Sequence, residues 1–338
     1  MRLVVFFMFF IAPMISFSQY DTTYVMRFPG RLGVALYQSK PRYEIRIRNK
    51  QTDPGAVNEL DYQTQANYIT GIGLHYDKIT LFAGIKTPGE SNELKGKTRS
   101  SQFAIAFTGV KLRIEASARY YTGFYENNSP FNIPSFTDTS EYYQNSEMKT
   151  STLKLKLFYF FNFKKRFTYG AAYINNTRQL KSAGSLLFTT NLYHFGVKND
   201  GPLVPPYLAH IFEPYDSIDH VKVTGLSAGI GYTHTFIIFK RLFLNLLFAV
   251  GIENQTLILS ENDVNLFKHK RTVFSSYDFR SSIGYNSNRF YISFHTIVDG
   301  NVYTFNDIEM ENNFINTIVL VGYRFGVKIP VIDKYGNK

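Results

Sequence analysis

The chain has 338 residues, no Cys, 17% aromatic residues and a formal net charge of +11. The absence of Cys excludes a disulfide framework and a lipid anchor on an acylated Cys. Most Lys and Arg lie singly on strand faces and in loops, and no long basic run that could follow a phosphate backbone occurs, which argues against nucleic-acid binding despite the positive charge.

Residues 1–18 have the three parts of a secretory signal. Arg2 precedes an apolar run over Leu3–Ile15, and the small residues of Ser16-Phe17-Ser18 end the segment. An uncleaved anchor is the alternative, but the run is shorter than the ~20 residues of a spanning helix and contains Pro13. We therefore expect residues 1–18 to be removed on export.

Alternating apolar and polar residues dominate the chain after a periplasmic lead over residues 19–30. In residues 110–120, Val-Lys-Leu-Arg-Ile-Glu-Ala-Ser-Ala-Arg-Tyr, one face of an extended strand is apolar and the other is polar or charged. Such a strand suits a wall between lipid and water. Strands are predicted at 31–38, 42–48, 65–76, 79–87, 100–108, 110–122, 150–162, 167–175, 183–196, 222–235, 241–254, 271–285, 289–299 and 313–327.

Tight turns and long polar loops separate these strands, as is typical of bacterial barrels with an even strand number. The long loops are predicted at 49–64, 88–99, 125–149, 197–221 and 255–270. The turns keep a consistent order only if 31–48 is one strand bent at Pro41, which leaves 13 strands, and if one segment between 168 and 222 is misassigned. Either 203–212 hides a strand or Gln179–Ser185 does not turn. We predict an all-β transmembrane antiparallel β-barrel of about 12–14 strands over residues 31–327, followed by a C-terminal tail over residues 328–338.

The charged faces are predicted to line the lumen. Turning strand 110–120 inside out would place three cations against lipid, at a cost on the order of 5–10 kcal/mol. The lining is either a selectivity surface for an anionic solute or a salt-bridge network that fills the barrel, and we favour the network. The candidate lining residues are Glu44, Arg46, Arg48, Lys111, Arg113, Glu115, Arg119, Asp278 and Arg280.

The sequence contains no recognisable catalytic, metal-binding or cofactor-binding motif. The His residues are scattered, without the spacing of a metal site. We expect a narrow or filled-lumen pore, a binding scaffold or an envelope-structural protein. Two alternatives are a lipid-modifying barrel enzyme using His234 or His295, and a wider solute channel.

Several phrases resemble an uncharacterised family of exported barrels, the domain-of-unknown-function 4421 family. They are Asp21-Thr22-Thr23-Tyr24, Leu36-Tyr37-Gln38-Ser39-Lys40, Arg178-Gln179-Leu180-Lys181-Ser182-Ala183-Gly184-Ser185 and Gly322-Tyr323-Arg324-Phe325. The resemblance implies the outer membrane of a Gram-negative bacterium and supplies no activity. The expected partners are outer-membrane lipids and, during biogenesis, the barrel-assembly machinery.

The third of these phrases is too polar for an ordinary lipid-facing strand. Gln179, Lys181, Ser182 and Ser185 are therefore candidates for contact with a plug, a partner or a lipid headgroup. A tight Ser/Gly turn is the alternative.

Overall fold

Antiparallel strands join into a closed cylinder in the computed structural model of the protein. The structure describes residues 19–51, 58–65, 68–87, 92–129 and 141–327. The predicted signal over 1–18 and the tail over 328–338 lie outside the described residues. Within these ranges, no helix is long and apolar enough to cross a bilayer.

Fifteen strands are assigned within the described residues. They are β1 (Val25–Arg27), β2 (Arg31–Asn49), β3 (Glu59–Gln63), β4 (Ile69–Tyr76), β5 (Ile79–Lys86), β6 (Arg99–Thr108), β7 (Leu112–Glu126), β8 (Tyr143–Phe160), β9 (Thr177–Gln179), β10 (Ala183–Lys198), β11 (His220–Phe239), β12 (Leu242–Glu261), β13 (Val264–Asn286), β14 (Phe290–Phe305) and β15 (Ile308–Gly326). The helical segments are 3₁₀ turns at Glu93–Lys95 and Pro206–Leu208, α1 (Gly170–Tyr173) and α2 (Ala209–Phe212).

All strands except β1 and β9 belong to one sheet, which closes because β15 pairs with β2. That pairing runs from Ile308 opposite Asn49 to Gly326 opposite Arg31. Closure lets backbone groups pair between neighbouring strands around the wall, as a barrel in lipid requires. The small β1–β9 sheet is separate from the wall.

The wall has twelve crossings in the described part of the chain, because β3 and β4 are two halves of one crossing. Both pair antiparallel with β2, β3 beside its second half and β4 beside its first. The short β5–β6 hairpin reaches only part of the wall height. Above it, Tyr62 and Gln63 of β3 pair directly with Glu126 and Tyr125 of β7. The strand number is even and lies within the predicted range of 12–14.

One predicted strand, 167–175, is not part of the wall. The rings of Phe167, Tyr169 and Tyr173 are spaced as in a strand, but Gly170–Tyr173 is a helical turn within a segment that folds into the barrel. With 31–38 and 42–48 joined as β2 and this segment removed from the wall, the fourteen predicted strands become twelve and the turns keep a consistent order. The prediction of a misassignment between 168 and 222 is confirmed.

The predicted loop over 255–270 is also wrong. Strands β12 and β13 continue through this region and meet at Asn262-Asp263. Both turn residues have positive φ, 49° and 63°, the backbone conformation that two-residue hairpin turns need and that Asn and Asp tolerate. The hairpin therefore extends further than its polar composition suggested.

A band of exposed apolar side chains surrounds the wall. Monomeric soluble proteins rarely expose so large a continuous apolar surface, whereas a barrel in a bilayer requires it. Its members include Leu36, Ile72, Ile85, Phe103, Leu153, Leu155, Leu186, Leu192, Leu226, Ile230, Phe248, Ile252 and Ile283. The cylinder is a transmembrane β-barrel.

We expect Ile230→Arg, in the middle of the band, to lower the free energy of unfolding by about 2–4 kcal/mol, because lipid solvates the cation poorly. Ile230 is 70% exposed. The matched control is Val264→Arg at the tip of the β12–β13 hairpin, where the loss is expected to be much smaller. Urea titration in phospholipid vesicles measures both, and equal losses would contradict the placement of the bilayer.

Candidate functional site

The interior of the barrel contains three layers: a plug at the end where β2 begins, a charged belt in the middle and an apolar core at the opposite end. We call the first end the inner end and the second the outer end. The plug is residues 161–182, which connect β8 to β10 and include α1 and β9. Its rings Phe167, Tyr169 and Tyr173 pack in a buried cluster with Phe158 and Phe160 of the wall.

Gln179 holds the plug together. Its amide nitrogen donates to the carbonyl oxygens of Arg166 (2.6 Å), Lys181 (2.9 Å) and Tyr24 (3.2 Å), and its amide oxygen accepts from the backbone N–H of Thr168 (3.1 Å). Tyr24 belongs to the lead that precedes the wall, and the lead strand β1 pairs with β9. One buried amide thus joins the lead to the plug.

The other three candidate contact residues lie at the junction of plug and wall. The Ser185 hydroxyl accepts from the backbone N–H of Asn162 (2.9 Å), and that of Ser182 accepts from the backbone N–H of Ile237 (2.9 Å). The Lys181 ammonium lies 5.3 Å from the centre of the Tyr24 ring. The structure thus places all four within the chain's own plug junction.

Asp21 adds an ion pair between the lead and the plug. Its carboxylate lies 3.1 Å from Nε of Arg166 and accepts from the hydroxyl and backbone N–H of Thr23. The Thr23 hydroxyl, and after it the Arg166 guanidinium, lower the pKa of Asp21. Since the folded-state pKa is lowered, this link is present above the ordinary pKa of an Asp and is lost as the pH falls through the lowered one.

Arg324 of β15 fastens the plug to the wall from the opposite side. It is 2% exposed, and its guanidinium donates to the carbonyl oxygens of Asn175 (2.9 Å) and Ser287 (2.7 Å) and to the side-chain oxygen of Asn286 (2.7 Å). The Phe28 and Tyr291 rings lie 4.0 and 4.6 Å from its central carbon. Neutral acceptors and aromatic faces therefore surround this buried cation.

The charged belt lies beyond the plug and contains five of the predicted lining residues. Arg113 donates to Glu115 (2.6 Å), and Arg280 lies 3.5 Å from Glu115 and 3.0 Å from Asp278. Arg119 approaches Asp299 at 3.4 Å and lies 3.7 Å from the centre of the Phe314 ring. The network therefore links β7, β13 and β14 across the lumen.

Sequence reasoning missed three members of this belt, namely Lys154, Lys156 and Asp299. Lys154 and Lys156 of β8 point inward and bond to Asp299 and Asp278. Their alternation with Leu153, Leu155 and Leu157 was visible in the sequence and gives the same orientation as strand 110–120. Each belt carboxylate is shared by two cations, so no belt carboxylate lacks an opposite charge.

The prediction for Glu44, Arg46 and Arg48 is wrong: these side chains face outward. Their neighbours Tyr43, Ile45 and Ile47 are buried inside the barrel in the outer core. This part of β2 lies beside the outer core, so its apolar face fills the interior and its outward charges pair with one another and with β3 and β15.

The outward charges form a cross-strand ladder. Arg46 bonds to Glu44 and lies 3.3 Å from Glu59 and 3.2 Å from Glu311. Arg48 donates to Glu59 through Nε (2.9 Å). The ladder joins β15, β2 and β3 on the outside of the wall.

Lys111 is likewise absent from the lumen. It lies in the turn between β6 and β7 at the inner end, and its ammonium is 6.0 Å from the centre of the exposed Phe163 ring. The alternation that began at Val110 is interrupted there, because β7 starts only at Leu112.

The outer core closes the lumen at the other end. The segment over residues 199–219, which includes α2, turns inward and buries apolar side chains such as Leu203, Leu208 and Phe212 against the wall. The Tyr62 hydroxyl donates to the carbonyl oxygen of Leu203 at 2.7 Å. Part of this segment, 203–212, was one proposed position for a hidden strand; it is a cap containing a 3₁₀ turn and α2 instead.

A chamber of about 160 Å³ lies at the level of the belt. Arg113, Arg119 and Lys154 border it on one side, and Tyr37, Phe82, Leu320 and other apolar residues border it on the opposite side. The chamber is therefore half charged and half apolar.

His234 and His295 do not meet. His234 faces outward, and its Nδ1 lies 3.0 Å from the Tyr232 hydroxyl. His295 faces inward, and its Nε2 lies 2.8 Å from the buried Ser293 hydroxyl. In the part of the chain that the structure describes, no group of three His, Cys, Asp or Glu side chains could hold a metal ion.

Together these features define a transmembrane β-barrel with a plugged, charge-lined lumen. The chain belongs to the family described as "Domain of unknown function (DUF4421)", whose model matches residues 19–325. No curated protein matches the chain.

Solved structures with a similar fold include the outer membrane protease OmpT from Escherichia coli (10% identity, TM-score 0.38, covering 92% of this chain and 100% of that one). The translocator domain of the autotransporter NalP from Neisseria meningitidis is 13% identical (TM-score 0.41, 87% and 88%). The P. putida toluene transporter TodX is 10% identical (TM-score 0.29, 88% and 91%). Likenesses at this level carry no functional argument, and the fold rests on the strand pairing itself.

We expect Asp299→Asn to lower the free energy of unfolding by about 3–5 kcal/mol, because it leaves Lys154 and Arg119 without their carboxylate in the lumen. The control is Asp263→Asn, which removes a solvent-exposed pair with Lys198 and is expected to leave stability unchanged. Urea unfolding in detergent micelles compares the two. A neutral outcome for Asp299→Asn would show that the belt is solvated.

Proposed function

We propose that this protein is an outer-membrane barrel whose lumen is closed, and that it acts as a binding scaffold or envelope-structural protein rather than as a wide solute channel. The observation that carries the proposal is the filled interior. The plug, the charged belt and the outer core follow one another along the axis of the barrel, and each contains buried side chains bonded or packed across the lumen.

Several features support export to the outer membrane of a Gram-negative bacterium. The predicted secretory signal precedes the wall, the strand number is even and the outer surface carries an apolar band. Short turns such as Asp77-Lys78 and Lys240-Arg241 lie at the end where β2 starts and β15 finishes, which corresponds to the periplasmic side of bacterial barrels. Outer-membrane lipids and the barrel-assembly machinery are the partners that follow from this location.

The proposal contains no catalytic step. His234 and His295, on which a lipid-modifying activity was considered, face opposite sides of the wall. A turnover assay with labelled lipid, comparing the wild type with His234→Ala and His295→Ala, tests that alternative separately.

We expect the protein to fractionate with outer membranes and to migrate differently on gels before and after heating, because a folded barrel resists unfolding in detergent until it is heated. Recovery from the soluble periplasm, or migration that heating does not alter, would contradict the proposed location.

We expect no regular stepwise conductance in planar bilayers, because three interior layers obstruct the axis. A wide bacterial porin reconstituted in the same lipid is the positive control, and heat-modifiable migration of the same preparation confirms that the sample is folded. Uniform current steps from the folded protein would favour the solute channel instead.

A further inference from the structure

The chamber at the level of the belt has more positive than negative charge. Among the described residues, five cations border it, namely Arg113, Arg119, Lys154, Lys156 and Arg280. The carboxylates that border it or pair with these cations are three, namely Glu115, Asp299 and Asp278. Glu253 lies one layer further out and is bonded to Tyr193 and to Asn301 (2.7 Å). Even with Glu253 included, the cations named here outnumber the carboxylates by one.

Polar atoms at the chamber also lack partners. Arg113 Nε, His295 Nδ1 and Asn316 Oδ1 are buried, and none has a hydrogen-bond partner among the described residues. All three residues border the chamber and are at least nine-tenths buried. Buried polar groups in folded proteins are nearly always bonded, so these atoms indicate a polar occupant.

The opposite side of the chamber is apolar. Phe82 and Tyr37 meet edge to face with their ring centres 5.8 Å apart, and Ile318 and Leu320 of β15 continue this surface. Water alone gains nothing from such a surface, whereas an apolar group of an occupant would be buried against it.

We propose that the chamber binds a small organic monoanion, a carboxylate attached to a compact apolar or aromatic body. The carboxylate would accept from Arg113 and neutralise the excess charge, and the body would lie against Phe82 and Leu320. The volume limits the size, because a cavity of roughly 150 Å³ holds a ligand as large as benzene. The inference does not depend on the proposed scaffold function, since it concerns binding of a ligand in the chamber and not passage of ions through the lumen.

The probe is 4-fluorobenzoate, followed by fluorine NMR, because the protein has no fluorine background. Since the plug and the outer core border the lumen on both sides, the probe is added either before folding in detergent or to the folded protein. We expect a saturable bound signal in at least one of these two samples. The neutral 4-fluorobenzyl alcohol has a similar shape and is expected to bind at least tenfold more weakly.

Two variants test the position of the site. Arg113→Gln removes a chamber cation while Glu115 keeps Arg280, and it should weaken 4-fluorobenzoate binding by about tenfold, the loss of a charge-assisted hydrogen bond. Ala104→Leu leaves every charge in place and fills the chamber, and it should abolish the bound signal. The control is Arg289→Gln at an exposed inner turn, which should bind as the wild type does.

Absence of a saturable signal in both samples of folded wild-type protein would overturn the proposal. Equal binding of the acid and the alcohol would overturn it as well, because the charge would then play no part. If Arg113→Gln does not fold, Ala104→Leu alone decides, and undiminished binding by that variant would place the probe outside the chamber. Conductance is measured on different samples, so failure of the scaffold function leaves this result interpretable.

Discussion

Pairing of the first and last wall strands is the interaction on which the rest of the structure depends. When β15 bonds to β2 along its whole length, the sheet encloses a lumen and separates an inside from an outside. The outside must be apolar where it meets acyl chains, and the inside must pair its charges because water reaches it poorly. The apolar band and the shared carboxylates of the belt are both consequences of this separation.

The alternation of residues located most of the wall strands, but it did not by itself determine which face points inward. In strand 110–120 the cost of placing cations in lipid decided the question, and Arg113 and Glu115 do lie inside. In strand 42–48 the same reasoning fails, since the outward charges of that part of β2 lie beyond the apolar band and pair with charges of β3 and β15. The depth of a strand in the membrane depends on its partners, so Glu44 and Arg46 could not be oriented from their own sequence.

Elements that leave the wall were the hardest to predict. The plug has the aromatic alternation of a strand at Phe167, Tyr169 and Tyr173, because its rings must fill the barrel, and only the parity of the turns revealed the error. The Asn262-Asp263 hairpin could have been found, since both residue types tolerate positive φ. The chamber could not, because its residues come from strands distributed over most of the sequence and only closure brings them together.

The position of Arg324 couples two events during biogenesis. This residue lies near the end of the last wall strand, yet its bonds reach Asn175 in the plug, 149 residues earlier in the chain. The side chain can take up this position only after the last wall strand has paired with β14. The plug therefore gains this fastening late, and a barrel without its last strand would leave the Asn175 carbonyl oxygen without the Arg324 bond.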